Sequence, residues 1–277
     1  MIVIKSIGGL GNQMFQFALY LKLKHLGKSV AFDDSGYEAN KIAKYELQKF
    51  NVNYDRPRLI DVIKYKEPYC KLFSSKNFKV YDEKLDKGYQ PEIYDISEGC
   101  LRGYWQCEKY FIDIEDDIKK VFQFDAELSS ECHIFLDKIC SCNSTAVHIR
   151  RGDYLLPKNA KNYSGICTEE YYRNAMSYIK NIHPDTKFFF FSDDIPWVKE
   201  NLCSEGDEAV DCNHGENSYL DMYLMSKCKN NIIANSSFSW WGAWLNDNSL
   251  KTVVAPNRWF RHLEVSDAIC DSWVRIS

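Results

Sequence analysis

His148-Ile149-Arg150-Arg151-Gly152-Asp153 follows directly on Thr145-Ala146-Val147, and these two runs together decide the fold. Thr145-Ala146-Val147 reads as the last part of a buried strand. Two adjacent guanidiniums, an imidazole and a carboxylate therefore leave a strand's carboxyl end together, and in open α/β sheets that edge is where ligands bind. An arginine pair there suits a diphosphate, because planar guanidinium forks bind phosphate oxygens two at a time and stay charged at any working pH. Standing alone, the segment reads equally well as an Arg–Asp surface pair beside a turn glycine, so its surroundings carry the decision.

Working outward, the chain toward the C-terminus alternates regularly. Strands are expected at Ser144–Ile149, Lys187–Phe191, Glu208–Asp211, Asn231–Ala234 and, last, Thr252–Ala255. Helices are expected at Glu169–Ile182, after Pro196, at Ser218–Lys227 and at Ser237–Leu245. Strands alternating with helices of about three turns imply a parallel sheet covered on both faces. The N-terminus opens the same way. A strand at Ile2–Lys5, a tight Gly8-Gly9-Leu10-Gly11 loop, a helix over Asn12–Gly27 and a strand at Ser29–Phe32 make one β-α-β unit. Residues 35–100 lack a clear period and read as mixed and irregular. A strand is expected at Leu101–Gln106, then helices at Lys109–Phe122 and Ala126–Cys140. The fold class is therefore α/β, in two halves, with the boundary near Cys142: residues 1–142 and 143–277.

Composition closes off several functions. Hydrophobic residues at 45% and charged residues at 27% allow sizeable cores. A net charge of −4 gives no global basic field for nucleic acid, so any anion must be caught locally. The 11 cysteines are odd in number and lack paired metal-ligand spacings, which reads as reduced thiols in a cytoplasmic protein. Met1-Ile2-Val3-Ile4-Lys5 looks like a first strand rather than a signal peptide, and no apolar run approaches the ~20 residues of a membrane span.

Other constellations sit at matching places. Gly9 and Gly11, between the first strand and helix, let backbone N–H groups approach an anion, although the loop fits neither G-x-G-x-x-G nor a Walker pattern. Asn235-Ser236-Ser237-Phe238-Ser239-Trp240-Trp241 opens a helix after a strand and offers hydroxyls and amides to a phosphate. It is also an ordinary N-cap signature, and the two roles are compatible. Trp240, Trp241 and Trp244 read as core. Asp193, in Phe191-Ser192-Asp193-Asp194, is placed to take hydrogen bonds from a ribose or base, or to cap the next helix. Asp221 reads as a guanine-reading carboxylate or an exposed helix charge. The aromatic faces of Gly103-Tyr104-Trp105-Gln106 are candidates for stacking on a sugar. No Asp-x-Asp triplet is present, which favours charge neutralisation by guanidinium over a divalent metal.

Taken together, Gly9-Leu10-Gly11-Asn12-Gln13-Met14-Phe15-Gln16, His148–Tyr154 and Asn235–Trp241, with Phe191–Asp194 and Val254-Ala255-Pro256, resemble the bacterial α-1,2-fucosyltransferases of glycosyltransferase family 11. The resemblance runs from about residue 3 to about 260. It implies a GT-B-like fold, two Rossmann-type halves facing a central cleft, with residues 1–142 on the acceptor side and 143–277 holding GDP-fucose. It implies inverting transfer of L-fucose from GDP-β-L-fucose to the 2-hydroxyl of a terminal galactose, without metal or other cofactor. Arg150 would contact the diphosphate, helped by Arg151 and by Ser236, Ser237, Phe238 and Ser239 at the helix start. His148 and Asp221 would lie against the guanine, and the Gly9–Asn12 loop would close over the sugar diphosphate.

The general base is less defined. Asp153 is the nearest carboxylate, but two neighbouring arginines weaken it as a base and suit it better to orienting them. Asn12 is placed to position the acceptor hydroxyl, with the proton leaving late, and Asp33 and Asp34 are the other carboxylates at a strand end. The partners expected are GDP-fucose and a galactose-terminated or lipid-linked glycan, at the inner face of the cytoplasmic membrane, with no nucleic acid. Two other readings remain: a transferase of α-1,3 or α-1,6 linkage, and a GDP-sugar or glycan-binding protein that performs no transfer.

Overall fold

A computed structural model describes residues 1–37, 44–66, 78–125, 127–263 and 267–277, without the side chains of residues 153, 158 and 159. The chain forms two compact units, Met1–Gln123 and Phe124–Ser277. The division falls ahead of the expected one near Cys142 because helix Ser130–Cys140 packs on helix Leu220–Lys227 of the second unit.

In the first unit, strands β1 (Ile2–Lys5), β2 (Val30–Asp33), β3 (Lys79–Asp82) and β4 (Gly99–Arg102) form one parallel sheet in the order β2-β1-β4-β3. Helix α1 (Leu10–His25) buries Met14, Phe15, Phe17, Ala18, Leu19 and Leu23. Short helices α2 (Leu59–Ile63) and α3 (Glu115–Val121) follow, so the expected long helix at Lys109–Phe122 is two 3₁₀ turns and a short α-helix. The irregular stretch hides β3, whose alternating pattern is half-exposed and short. Residues 38–43 and 67–77 of that stretch lie outside the described residues. The strand expected to reach Gln106 stops at Arg102. The Glu83 carboxylate takes the N–H groups of Tyr104 and Trp105, at 2.6 and 3.0 Å, away from any ladder.

The second unit holds α4 (Ser130–Cys140), β5 (Ser144–Ile149), α5 (Pro157–Tyr163), α6 (Glu169–Ile182), β6 (Lys187–Ser192), α7 (Ile195–Asn201), β7 (Glu208–Val210), α8 (Leu220–Lys227), β8 (Asn230–Ile232), α9 (Ser237–Trp244), β9 (Val253–Pro256) and β10 (Val274–Ile276). Its all-parallel sheet runs β10-β9-β8-β5-β6-β7. Counted within the unit this is the dinucleotide-binding order 3-2-1-4-5-6, read from the other edge. β9 is therefore not the last strand, and β10 completes the sheet at its edge. Phe188, Phe189, Phe190 and Phe191 are all buried, which is why β6 shows no alternation: a central parallel strand is covered on both faces. Helix α6 begins where the Thr168 hydroxyl accepts the Tyr171 N–H, carries Glu169 and Glu170 in its first turn, and buries Tyr171, Tyr172, Ala175 and Ile179 against β5 and β6. The α/β class with two Rossmann-type halves is what the chain adopts.

Candidate active site

The strand order reverses direction between β5 and β8, so the crevice at their carboxyl ends is where this fold binds ligands. The two motifs leave those two strands. β5 ends at Ile149 and delivers Arg150 and Arg151; β8 ends at Ile232 and runs through Asn235 into α9. They are tied together. The Tyr154 hydroxyl donates to the Asn235 carbonyl at 2.9 Å, and the His148 ring lies 5.8 Å from that of Phe238.

Arg150 is half-exposed, with Nη1 3.2 Å from Asp193 Oδ2 and its guanidinium over the Tyr154 ring at 5.9 Å. The other Asp193 oxygen accepts the Arg151 N–H at 2.9 Å. Gly152 permits this, since a Cβ there would sit 2.7 Å from Asp193 Oδ2. Arg151 is held differently: its Nε donates to Asp194 at 3.0 Å and its guanidinium stacks on Trp197 at 3.9 Å. Asp194 also caps α7 by accepting the Trp197 N–H. Of the carboxylates in these motifs, Asp193 and Asp194 hold the two arginines. The side chain of Asp153, expected in that role, lies outside the described residues.

His148 is 5% exposed, and its Nδ1 is buried without a hydrogen-bond partner. Burial, reinforced by the Arg150 charge and opposed by Asp193, holds its pKa down at about 3, so the ring is neutral at any working pH. An orphaned polar atom in a native interior calls for an explanation, and a ligand is one. At the start of α9, Ser236 occupies the cap position but its side chain makes no capping bond. Ser239 turns its hydroxyl to the Ala234 and Ser236 carbonyls, while Ser237 and Phe238 are half-buried. A helix start whose cap side chain is unused suits an anion. Trp240, Trp241 and Trp244 are core, as expected.

Asp221 stands at the start of α8, accepting from Asn213 Nδ2 at 2.8 Å. Burial pushes its carboxyl up to about 7, against the pull of Asn213 and His214 and helped by Asp211. Asn213 had no sequence signal beyond its place after β7.

The first unit carries its own polar cluster along the carboxyl edge of its sheet. Gln106 Nε2 donates to Asn12 Oδ1 at 2.6 Å. Gln13 and Gln16 are buried and fix the loop around them: Gln13 bonds the Gly8 and Lys44 carbonyls, and Gln16 those of Ile7 and Gly103. Asp33 accepts the Tyr65 hydroxyl at 2.6 Å. Although burial raises the Asp34 carboxyl, its bonds from Arg56 and Tyr54 prevail and hold it below the usual carboxylate range. Both carboxylates thus have structural work, and Asp34 is a poor base. Trp105 is 1% exposed and offers no face to a sugar, which corrects the expected stacking role; Tyr104 is half-buried. Gly9 and Gly11 lie where expected, at the entry to α1, with Gly9 in its cap position.

The whole chain, residues 1–277, matches the family described as Glycosyl transferase family 11. It belongs to that family. Among its relatives, the O-antigen biosynthesis glycosyltransferase WbnK of Escherichia coli is 36% identical over 301 residues, covering 97% of this chain and 98% of that one. An alpha-1,2-colitosyltransferase of Escherichia coli is 34% identical over 293 residues, 99% and 98% of the two chains. The galactoside alpha-(1,2)-fucosyltransferase 1 of Plecturocebus brunneus is 24% identical over 251 residues, 86% of this chain and 63% of that one. The protein is a family 11 glycosyltransferase, and two of the motifs that carry the resemblance, His148–Tyr154 and Asn235–Trp241, are the ones its second sheet brings to the switch point.

Proposed function

We propose that this glycosyltransferase moves L-fucose from GDP-β-L-fucose to the 2-hydroxyl of a terminal galactose, with inversion at the anomeric carbon and no metal. The observation that carries this is the pairing of Arg150 with the uncapped start of α9 on either side of the β5/β8 switch point. The acceptor oxygen forms a bond to the sugar's C1 as the bond from C1 to the phosphate oxygen breaks. GDP leaves with an additional negative charge, and the hydroxyl proton is lost late, to solvent water. Stabilising that leaving group is the largest task, and preorganised donors serve it. Arg150 and the α9 amides with Ser236 and Ser237 bind the diphosphate, with Arg151 held beside them by Asp194 and Trp197. The neutral His148 and the ionised Asp221 face the guanine, with Phe238 beside them, whereas the fully buried Ser239 hydroxyl is taken by the Ala234 and Ser236 carbonyls. Asp193 orients Arg150, the role that the sequence motif assigned to Asp153. Gly9 and Gly11 serve the sugar diphosphate, and Asn12 positions the acceptor hydroxyl. Among the described residues no helix is long and apolar enough to cross a membrane. The O-antigen glycosyltransferase relative supports a place in the cytoplasm, on glycans built at the inner face of the membrane.

The test is incubation with GDP-fucose and lactose or N-acetyllactosamine in the presence of EDTA, with product linkage read by NMR. An α-1,2-fucosylated galactose is expected. GDP that binds without any transfer would overturn the enzymatic reading, and an α-1,3 or α-1,6 product the linkage. The colitosyltransferase relative supports colitose as a second transferred sugar, and competition between fucose and colitose donors decides which is used.

A pH dependence follows from Asp221. Guanine offers N–H donors, so it binds the ionised carboxylate, while the free protein holds that carboxyl at about 7. GDP affinity should then rise with pH, by roughly tenfold from pH 6 to a plateau above pH 8, since each pH unit below the pKa removes a tenfold share of the ionised form. The terminal phosphate of GDP also titrates near pH 6, so the difference between wild type and Asp221→Asn, by calorimetry, isolates the protein's contribution. Identical pH profiles for the two would remove Asp221 from the guanine site.

A further inference from the structure

The polar cluster of the first unit holds one arrangement that the transfer reaction, as described, does not use. Where β4 ends, the chain is drawn into a strained turn. Trp105 is the only non-glycine at positive φ among the described residues, at 55°, in a region that L side chains avoid. Three contacts hold it there. The Glu83 carboxylate accepts both the Tyr104 and Trp105 N–H groups, and the approach of Glu83 to Gly103 leaves no room for a Cβ. Gln16 Nε2 donates to the Gly103 carbonyl at 2.9 Å. The Trp105 indole, 1% exposed, sits edge-on to Tyr110 with ring centres 5.7 Å apart.

Strain that its surroundings keep in place points to function. Here it delivers the next side chain, Gln106, to Asn12 Oδ1 at 2.6 Å. The other end of the Asn12 amide is crowded. Gly8, at φ +82°, lies beneath it so closely that a Cβ would be 2.5 Å from Asn12 Nδ2. An asparagine amide otherwise rotates broadly about its last torsion, with its donor and acceptor ends nearly alike in shape. With Gln106 donating to the oxygen, only the Nδ2 end remains as a donor.

We propose that Gln106 is a positioning residue: it holds the Asn12 amide with Nδ2 turned toward the attacking sugar hydroxyl, whose oxygen accepts a hydrogen bond from it. This rests on the reading of the chain as a transferase in which Asn12 meets the acceptor. The bond leaves a second lone pair of the hydroxyl oxygen free for C1 and its proton free to depart. Glu83 and the Trp105 turn act one step further back, by bringing Gln106 within reach.

The experiment is a double-mutant cycle of Gln106→Leu with Asn12→Ala, read as kcat for transfer, KM for GDP-fucose, hydrolysis of GDP-fucose without acceptor, and melting temperature. Gln106→Leu should lower kcat for transfer by roughly 10²-fold, as small misplacements of a reacting group do, while donor KM and acceptor-free hydrolysis hold. In the Asn12→Ala background the same change should add less than about twofold, since the two residues act as one unit. Gln106→Glu preserves shape but offers an acceptor, so it forces the amide to turn over and should be no better than Gln106→Leu. Multiplying losses, a loss that follows melting temperature alone, or a Gln106→Glu enzyme as fast as wild type would each overturn the role of Gln106. A wild-type enzyme that makes no α-1,2 product sinks the proposed function instead, so the two failures are distinguishable.

Discussion

Replacing Arg150 with alanine is expected to reduce transfer by at least ~10²–10³-fold, the usual loss when one preorganised donor to a developing anion is removed. That is about 3–4 kcal/mol of barrier. Arg150 is the first residue past β5, beside the switch point, with one edge of its guanidinium on Asp193 and its face over Tyr154. Those contacts orient it, and in the proposed function its guanidinium serves the leaving diphosphate. Lysine keeps the charge but loses both the fork and the planar face, so Arg150→Lys should recover little. Arg151→Ala should behave differently. Its guanidinium is stacked on Trp197 and paired with the carboxylate that caps α7, so its loss should lower melting temperature more than kcat. Initial rates with each variant, beside calorimetric binding of GDP, test the contrast. Wild-type-like turnover by Arg150→Lys would sink the assignment of Arg150 to the leaving group.

What the sequence disclosed and what it hid divide along physical lines. Strand Ser144–Ile149 and helix Glu169–Ile182 were legible to the residue, because a buried parallel strand and a well-capped amphipathic helix have patterns set by local chemistry. The family was legible because its motifs sit at strand ends, where side chains answer to a ligand as well as to packing. β3 was hidden, since a four-residue strand that is half-exposed carries almost no period. The boundary was placed late because helix Ser130–Cys140 precedes the regular alternation yet packs with it. Contacts between segments far apart in the chain were also hidden: Gln106 on Asn12, Asp193 on Arg150 and Asn213 on Asp221. Trp105 misled for a related reason. An aromatic in a loop invites a stacking role, and only the fold shows that its ring is anchoring a strained turn.

Asn235 should be among the least replaceable side chains of the second unit, and aspartate should be a worse replacement than alanine. The residue is 3% exposed and follows β8 directly into the start of α9. Its Nδ2 donates to the carbonyls of Tyr163 and Trp259, each at 3.2 Å, and its Oδ1 accepts the Cys167 thiol at 3.5 Å. Its own carbonyl takes the Tyr154 hydroxyl, and Tyr154 lies under Arg150. Alanine takes that donor from the buried Trp259 carbonyl and the partly buried Tyr163 carbonyl, at about 1–3 kcal/mol each, together roughly 6–18 °C in melting temperature for a unit of this size. Aspartate is the closer isostere and keeps an acceptor for Cys167. Its second oxygen, however, would face the two carbonyl oxygens that Nδ2 now satisfies, adding repulsion and a buried charge to the lost bonds. The order of stability should be wild type, then Asn235→Ala, then Asn235→Asp at pH 8, with Asn235→Asp gaining ground at pH 5, where a protonated carboxyl can donate to one of the carbonyls. Melting curves at the two pH values check this. An Asn235→Asp protein as stable as wild type at pH 8 would mean that Tyr163 and Trp259 do not depend on the amide. Because Tyr154 is tied to the same segment, activity in both variants should fall further than the unfolded fraction explains, which joins the stability of the second unit to the seating of Arg150.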